Sequence, residues 1–327
     1  MARTLIASGR RPLALAALFC LVLPGESRSQ ASTQGGASAD SFVLVLRPEP
    51  LRVAGIDVPI DPTVAPSPDG RFVAALQTRP QPLMWIVPTD GAKPFAYRKT
   101  WSATMLRWAR SGNRIGFVAD GGPPRIWTIE VDPATGRAID PPRMLYRDAV
   151  NAYAFAPDGE RIAYVPRSTT AAGASAIHIV EWESRVVRVL LRENGMIYHL
   201  DWSPDGESIY YGLAPASPGE GPAHRVRRAD VRRGRATTVL SAGEFLGLSA
   251  DGLYVLYRPA GWSHEDGNIV ELAGVGGRRL MRIEVEPGPA PRWGAIGPGS
   301  IVQVLPTEEG AAIRAIPACP FCYILSW

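Results

Sequence analysis

Cysteine, histidine and lysine are all scarce in this chain. Among 327 residues there are three cysteines (Cys20, Cys319, Cys322) and four histidines (His178, His199, His224, His264), and lysine occurs only at 93 and 99. So few cysteines exclude a disulfide-dense scaffold. The histidines fall in separate stretches without H-x-x-x-H spacing, so the sequence carries no zinc signature. Acidic and basic residues nearly balance (31 against 35, formal net charge +4) and are interspersed. A nucleic-acid footprint needs basic residues clustered on one face, so no nucleic-acid partner is expected. Past residue 30 no apolar run approaches the roughly twenty residues that cross a bilayer as a helix, so no stable membrane span is expected.

Glycine (33) and proline (31) are abundant, and a hydrophobic fraction of 46% is enough for a real core. That mixture suits many short strands joined by turns. The N-terminal stretch differs from the rest. Arg3, Arg10 and Arg11 precede an apolar run from Leu13 to Leu23, which Pro24 and Gly25 interrupt. A basic start, a short apolar run and a small-residue exit predict a signal peptide over residues 1–30, cleaved near Ser29 to Ala31. Arg10-Arg11 leaves a twin-arginine route open beside the general secretory one. Phe19 stands where a lipobox needs a small residue, so Cys20 is not read as a lipid anchor. Residues 31–41, rich in Ser, Gly, Ala and Gln, read as a flexible leader. The expected location is the periplasm or the medium.

One pattern then recurs: an apolar strand, a tight turn and a second apolar strand. The turns centre on Asp69, Ser111, Asp158, Asp205 and Asp251, with a degraded sixth copy at Pro298, at steps of 42, 47, 47, 46 and 47 residues. A period in the forties with four short strands per unit is the signature of a β-propeller. Helical repeats would show apolar positions at 3.6 spacing, whereas R-V-V-R-V-L-L (185–191) and M-R-I-E-V-E (281–286) alternate or run as short β-branched stretches. The fold expected over residues 42–318 is all-β: a six-bladed β-propeller with four-stranded antiparallel blades. The sixth copy lacks a convincing outer strand. Phe42–Leu46 or Leu51–Ile56 is expected to supply it and close the ring, with Tyr323–Leu325 as competitor. Three residues before the turn stand Trp108, Phe155, Trp202 and Leu248, expected to fill the gaps between blades.

The turns Ser67-Pro68-Asp69-Gly70, Ala156-Pro157-Asp158-Gly159, Ser203-Pro204-Asp205-Gly206 and Ser249-Ala250-Asp251-Gly252 are each followed by an apolar strand. They resemble the WD-like propeller repeats of the TolB family and the propeller domains of dipeptidyl peptidase-type enzymes. The resemblance covers about residues 60 to 305 and implies a fold more than a function. TolB carries an α/β domain ahead of its propeller, for which residues 31–60 are too few. Prolyl peptidases carry a hydrolase domain, and no G-x-S-x-G elbow occurs here. The resemblance implies a TolB-like binding scaffold of the cell envelope, with an envelope protein or peptide as partner. A monomer without cofactor, resident metal or catalytic residues is expected. The alternative is a propeller enzyme of lyase or lactonase type with a polar or metal site at the central channel.

Candidate binding residues follow from position in the repeat. Four residues before each turn stand Ala65, Arg107, Ala154, Asp201, Gly247 and Gly294. Small residues are expected where inner strands crowd an axis, so Arg107 and Asp201 stand out, either as a ligand feature or as a structural ion pair. His199 shares a strand face with Asp201, and Glu244 and Arg292 are placed to join them at the channel. Trp262, His264, Glu265 and Asp266 read as an aromatic and acidic loop tip that could contact a partner. Cys319 and Cys322 form a CxxC followed by Tyr-Ile-Leu, which reads as strand. A local disulfide is the expectation, because redox-active versions sit at a helix N-terminus.

Overall fold

The computed structural model describes residues 42–46, 64–77, 82–88, 92–98, 102–120, 125–146, 149–167, 173–216, 224–249, 251–261, 269–285, 292–297, 300–307 and 310–317. Every regular element among them is a strand. After β1 (Phe42–Leu46), the first blade is built from β2 (Val64–Pro66), β3 (Phe72–Gln77), β4 (Leu83–Pro88) and β5 (Phe95–Arg98). The second uses β6 (Ser102–Trp108), β7 (Arg114–Asp120), β8 (Arg125–Glu130) and β9 (Arg143–Tyr146). The third uses β10 (Val150–Phe155), β11 (Arg161–Pro166), β12 (Ala174–Glu181) and β13 (Val187–Asn194). The fourth uses β14 (Met196–Trp202), β15 (Ser208–Ala214), β16 (Arg225–Asp230) and β17 (Ala236–Leu240). The fifth uses β18 (Glu244–Leu248), β19 (Tyr254–Arg258), β20 (Ile269–Gly274) and β21 (Arg279–Val285). Within each blade the strands pair antiparallel in sequence order, in a propeller arrangement.

Two expectations are corrected. Among the described residues the full blades number five, not six: four sheets of four strands, and a fifth that β1 extends to five. The sixth repeat makes a three-stranded sheet of β22 (Arg292–Gly297), β23 (Ser300–Thr307) and β24 (Gly310–Pro317), and β22 lies beside β2 and β18. Nor does the N-terminal strand complete that sheet. β1 pairs in parallel with β21 on the outer edge of the fifth blade, from Phe42 opposite Met281 to Leu46 opposite Val285. The outer edge of any blade offers an unpaired row of backbone groups, and F-V-L-V-L meets the one at β21. β24 ends on Pro317 and the sequence continues Ala318-Cys319-Pro320, and proline cannot donate to a ladder. Leu51–Ile56 and Tyr323–Leu325 lie outside the described residues.

The recurring turn is a side-chain cap rather than a bare hairpin. In the fourth blade the Ser203 hydroxyl donates to Asp205 Oδ1 (2.5 Å) and accepts from Ser208 N (2.9 Å), while Glu207 N donates to the same carboxylate oxygen (2.8 Å). Ser67 and Asp69 repeat the arrangement in the first blade, and Ser249 and Asp251 in the fifth. Positive φ falls on the glycine alone, 69° at Gly206, where a side chain would be strained. The aspartates are thus occupied with backbone N–H groups and make no site.

Between blades, large side chains and arginines do the joining. Trp202 is fully buried, and its indole N–H donates to Ala154 O in the preceding blade (3.2 Å). Phe155 comes so close to Gly116 that an added Cβ there would meet its ring at 2.7 Å. Arg71 reaches Pro133 O (2.7 Å), Arg114 reaches Gly159 O (2.7 Å) and lies 4.3 Å over Trp182, and Arg161 lies 5.0 Å over Trp202. Each spans from one blade to the next, by a charge-assisted hydrogen bond or a cation–π contact. Part of the arginine excess therefore has a mechanical role.

Ser203→Ala leaves the buried Ser208 N–H without its acceptor and should lower stability by about 1–2 kcal/mol. Ser111→Ala, at the exposed turn of the second blade, should stay within about 0.5 kcal/mol of the parent. Urea titrations read both differences.

Candidate functional site

The sequence places Arg107 and Asp201 at equivalent positions on inner strands two blades apart, and the fold brings them together. Arg107 Nη1 lies 3.4 Å from Asp201 Oδ1, and Nη2 lies 3.0 Å from His199 Nε2. His199 Nε2 is 3.6 Å from Asp201 Oδ2, too long for a full hydrogen bond. The other Asp201 contact is firm: Oδ2 accepts from Leu248 N in the fifth blade at 2.9 Å. The third blade carries only the small Ala154 at the equivalent position. All three side chains keep about a fifth to a quarter of their surface exposed (27%, 23% and 20%).

Local backbone aims these groups. The ladder between the two innermost strands shifts register at Thr104/Arg107, Val150/Ala152, Ile197/His199, Phe245/Gly247 and Trp293/Ile296. Such bulges re-aim side chains and tighten twist. At the first of them Met105 takes a φ of 52°, unusual for a residue with a side chain. The buried Tyr153 holds it there, donating from its hydroxyl to Met105 O at 2.7 Å.

The electrostatics are self-contained. Burial pushes the Asp201 carboxyl upward, but the neighbouring His199, Arg107 and Arg110 outweigh it and hold it at about 2. Burial and the Arg107 charge push the His199 imidazole below its ordinary 6.5, against the upward pull of Asp201 and Glu244. The ring is neutral at pH 7 and can accept from the guanidinium, which only donates. A general base would need that same lone pair.

With this geometry in view, the chain can be set beside known proteins. A comparison with protein-family models and one with curated proteins find no match. Among solved structures, TolB from Acinetobacter baumannii superposes with a TM-score of 0.53 at 17% identity, covering 77% of this chain and 65% of that one. This chain thus spans about two thirds of the length of that TolB. A structure from Agrobacterium tumefaciens solved under the TolB name gives 0.52 at 17% identity, over 78% and 90% of the two chains. Kuenenia stuttgartiensis hydrazine synthase gives 0.52 at 12%, over 79% and 84%. The likeness is one of fold. The propeller reading stands on it, and no activity is carried over.

The remaining sequence candidates of this propeller divide. Glu244 acts on His199 through its charge, while its carboxylate pairs with Arg258 of its own blade (Oε2 to Nη1, 3.0 Å). Arg292 begins β22, and its side chain lies outside what is described. Trp262, His264, Glu265, Asp266, Cys319 and Cys322 lie outside the described residues. Among the described residues no group of three His, Cys, Asp or Glu could hold a metal.

Two participants were missed. Arg110 reaches from the turn of the second blade to Ser249 O in the fifth (3.5 Å), and its charge acts on Asp201 and Asp251. Its signal was visible: arginine stands where three other copies carry Pro68, Pro157 or Pro204. Tyr198 accepts from Phe245 N (3.0 Å) and packs edge-on to His224 (5.3 Å). Only the bare Gly212 opposite makes room, since a Cβ there would meet the ring at 2.2 Å. No sequence spacing announces that pair.

Because folding depresses the His199 pKa, the folded state binds fewer protons than the unfolded one just below 6.5. Stability is therefore full above pH 6.5 and falls as pH drops through the lower folded value. Asp201 adds a second loss between its ordinary 3.8 and about 2. Urea midpoints measured across pH should show both slopes. His199→Gln should flatten the first and shrink the second, because His199 is one of the groups that hold Asp201 low, with Arg107 and Arg110 keeping the remainder.

Proposed function

We propose that this chain is an exported binding scaffold, whose partner is an envelope protein or peptide docking at the mouth of the axial channel beside Arg107, His199 and Asp201. The carrying observation is that these three groups, with Arg110 and Leu248 N, satisfy one another across the axis. A site built for turnover needs a free base or nucleophile, whereas a docking site needs a rigid, charged, partly exposed surface. Arg107 retains exposed surface and N–H groups that an acidic or carbonyl-rich segment can meet. The propeller likeness to TolB structures fits a scaffold, and the N-terminal pattern of residues 1–30 fits export.

The two ends of the inner strands give a direct test. Met196, at the start of β14, is 52% exposed, and Leu253, beside a turn at the opposite end of the inner strands, is 55% exposed. A photo-crosslinking residue placed at Met196, in cells making the full chain, should trap one discrete partner; the same residue at Leu253 should not. The mature chain recovered outside the cytoplasm should begin between Ser29 and Ala31. Equal trapping at both positions, or none at Met196, would overturn the docking reading. Turnover of a lactone or uronate by the purified protein, lost in His199→Gln, would replace it with the enzyme alternative.

A further inference from the structure

Away from the axis, the outer halves of the first and second blades leave a cavity of about 250 Å³ between them. Met84 and Ile86 of β4 line it from one side, and Ile115 of β7 with Ile129 of β8 from the other; all four are buried. The space is open to solvent on one side; these four residues form its closely packed floor, and Phe95, Ala96, Tyr97, Arg137 and Ala138 stand around it. A comparable apolar cavity of about 150 Å³ takes up benzene. The volume here suits one ring with a short extension, and a long acyl chain does not fit.

The rim is polar in one place. Arg137 lies 5.0 Å from the Phe95 ring centroid and is exposed, and Tyr97 lines the same opening. Among the described residues neither the Arg137 guanidinium nor the Tyr97 hydroxyl has a hydrogen-bonding or ion-pair partner. The nearby carboxylates are engaged elsewhere: Asp132 by Ala134 N and Thr135, and Asp140 by Arg143 at 2.8 Å. Arg137 therefore differs from Arg71 and Arg114, which are spent on carbonyls of the next blade. The backbone holds it in place. Gly136 has a φ of 67° and lies so close to the first blade that an added Cβ would meet Ile86 at 3.0 Å. Burial raises the Tyr97 pKa, which keeps its hydroxyl a donor.

We propose that this inter-blade cleft binds a small carboxylic acid carrying one flat apolar group, with the ring over the floor of Met84, Ile86, Ile115 and Ile129 and the carboxylate on Arg137 and Tyr97. A buried apolar body with one charge at the rim uses both halves of the site. An apolar guest without a charge would leave the guanidinium unmet. The site is separate from the axial cluster and does not depend on the docking reading.

The test titrates the full chain with 3-phenylpropionate and with its uncharged amide by calorimetry. The acid should bind saturably, about tenfold more tightly than the amide. In Arg137→Gln the acid should fall to the level of the amide, which itself stays unchanged. Ala138→Leu, which fills the rim, should weaken both. Independently of that variant's folding, the methyl resonances of Ile86, Ile115 and Ile129 in the parent chain should shift on adding the acid. Absence of saturable binding, equal affinity for acid and amide, an unchanged Arg137→Gln, or shifts confined to other methyls would each overturn the proposal.

Discussion

The arrangement depends most on charge carried across the axis. Arg107 and Arg110 leave the second blade and meet Asp201 of the fourth and Ser249 O of the fifth. Neighbouring blades are joined by apolar packing and by arginine-to-carbonyl bonds, but those contacts act only between adjacent sheets. The axial pair links blades that are not adjacent, while the third and fifth blades carry only Ala154 and Gly247 at the equivalent positions. Partial burial makes the link strong and also makes it sensitive. A partner removed from a buried pair leaves an uncompensated charge, costlier than the pair's own net contribution.

The same cluster is what favours the proposed reading of the site as a surface for recognition. A neutral His199 whose ring nitrogen faces a guanidinium is not placed to take a proton from a substrate. An Asp201 held at about 2 is a fixed anion over the whole physiological range. Fixed charge and a bulged, strained strand at Met105 make a rigid rim, and rigidity lowers the entropy lost when a partner docks.

Much of the architecture was legible in the sequence because it is written in turn chemistry. Asp-Gly at regular spacing can be counted, and an apolar strand follows each turn, as Arg161–Pro166 follows Asp158-Gly159. Departures from the repeat were informative as well, since Arg107 and Asp201 were visible as charges where small residues belong. What stayed hidden depended on geometry without a local pattern. The register shift at Thr104/Arg107, the reach of Arg110 and the Tyr198–Gly212 contact are set by neighbouring blades. The outer strand of the third blade begins at Val187 and not at Arg185, because Arg185 sits in the preceding turn with a φ of 58°. The fate of the N-terminal strand was equally open, because every blade edge presents the same backbone groups to it.

That strand bears on how the molecule assembles. Phe42 is made early, yet the residue it pairs with, Met281, lies in the fifth blade. The first strand must wait through the synthesis of all five blades before its ladder can form. A contact of such sequence separation is slow to find and late to close. Until then the β21 edge stays open to any extended chain of similar character, so the speed of assembly, more than final stability, decides whether these molecules pair with themselves or with one another.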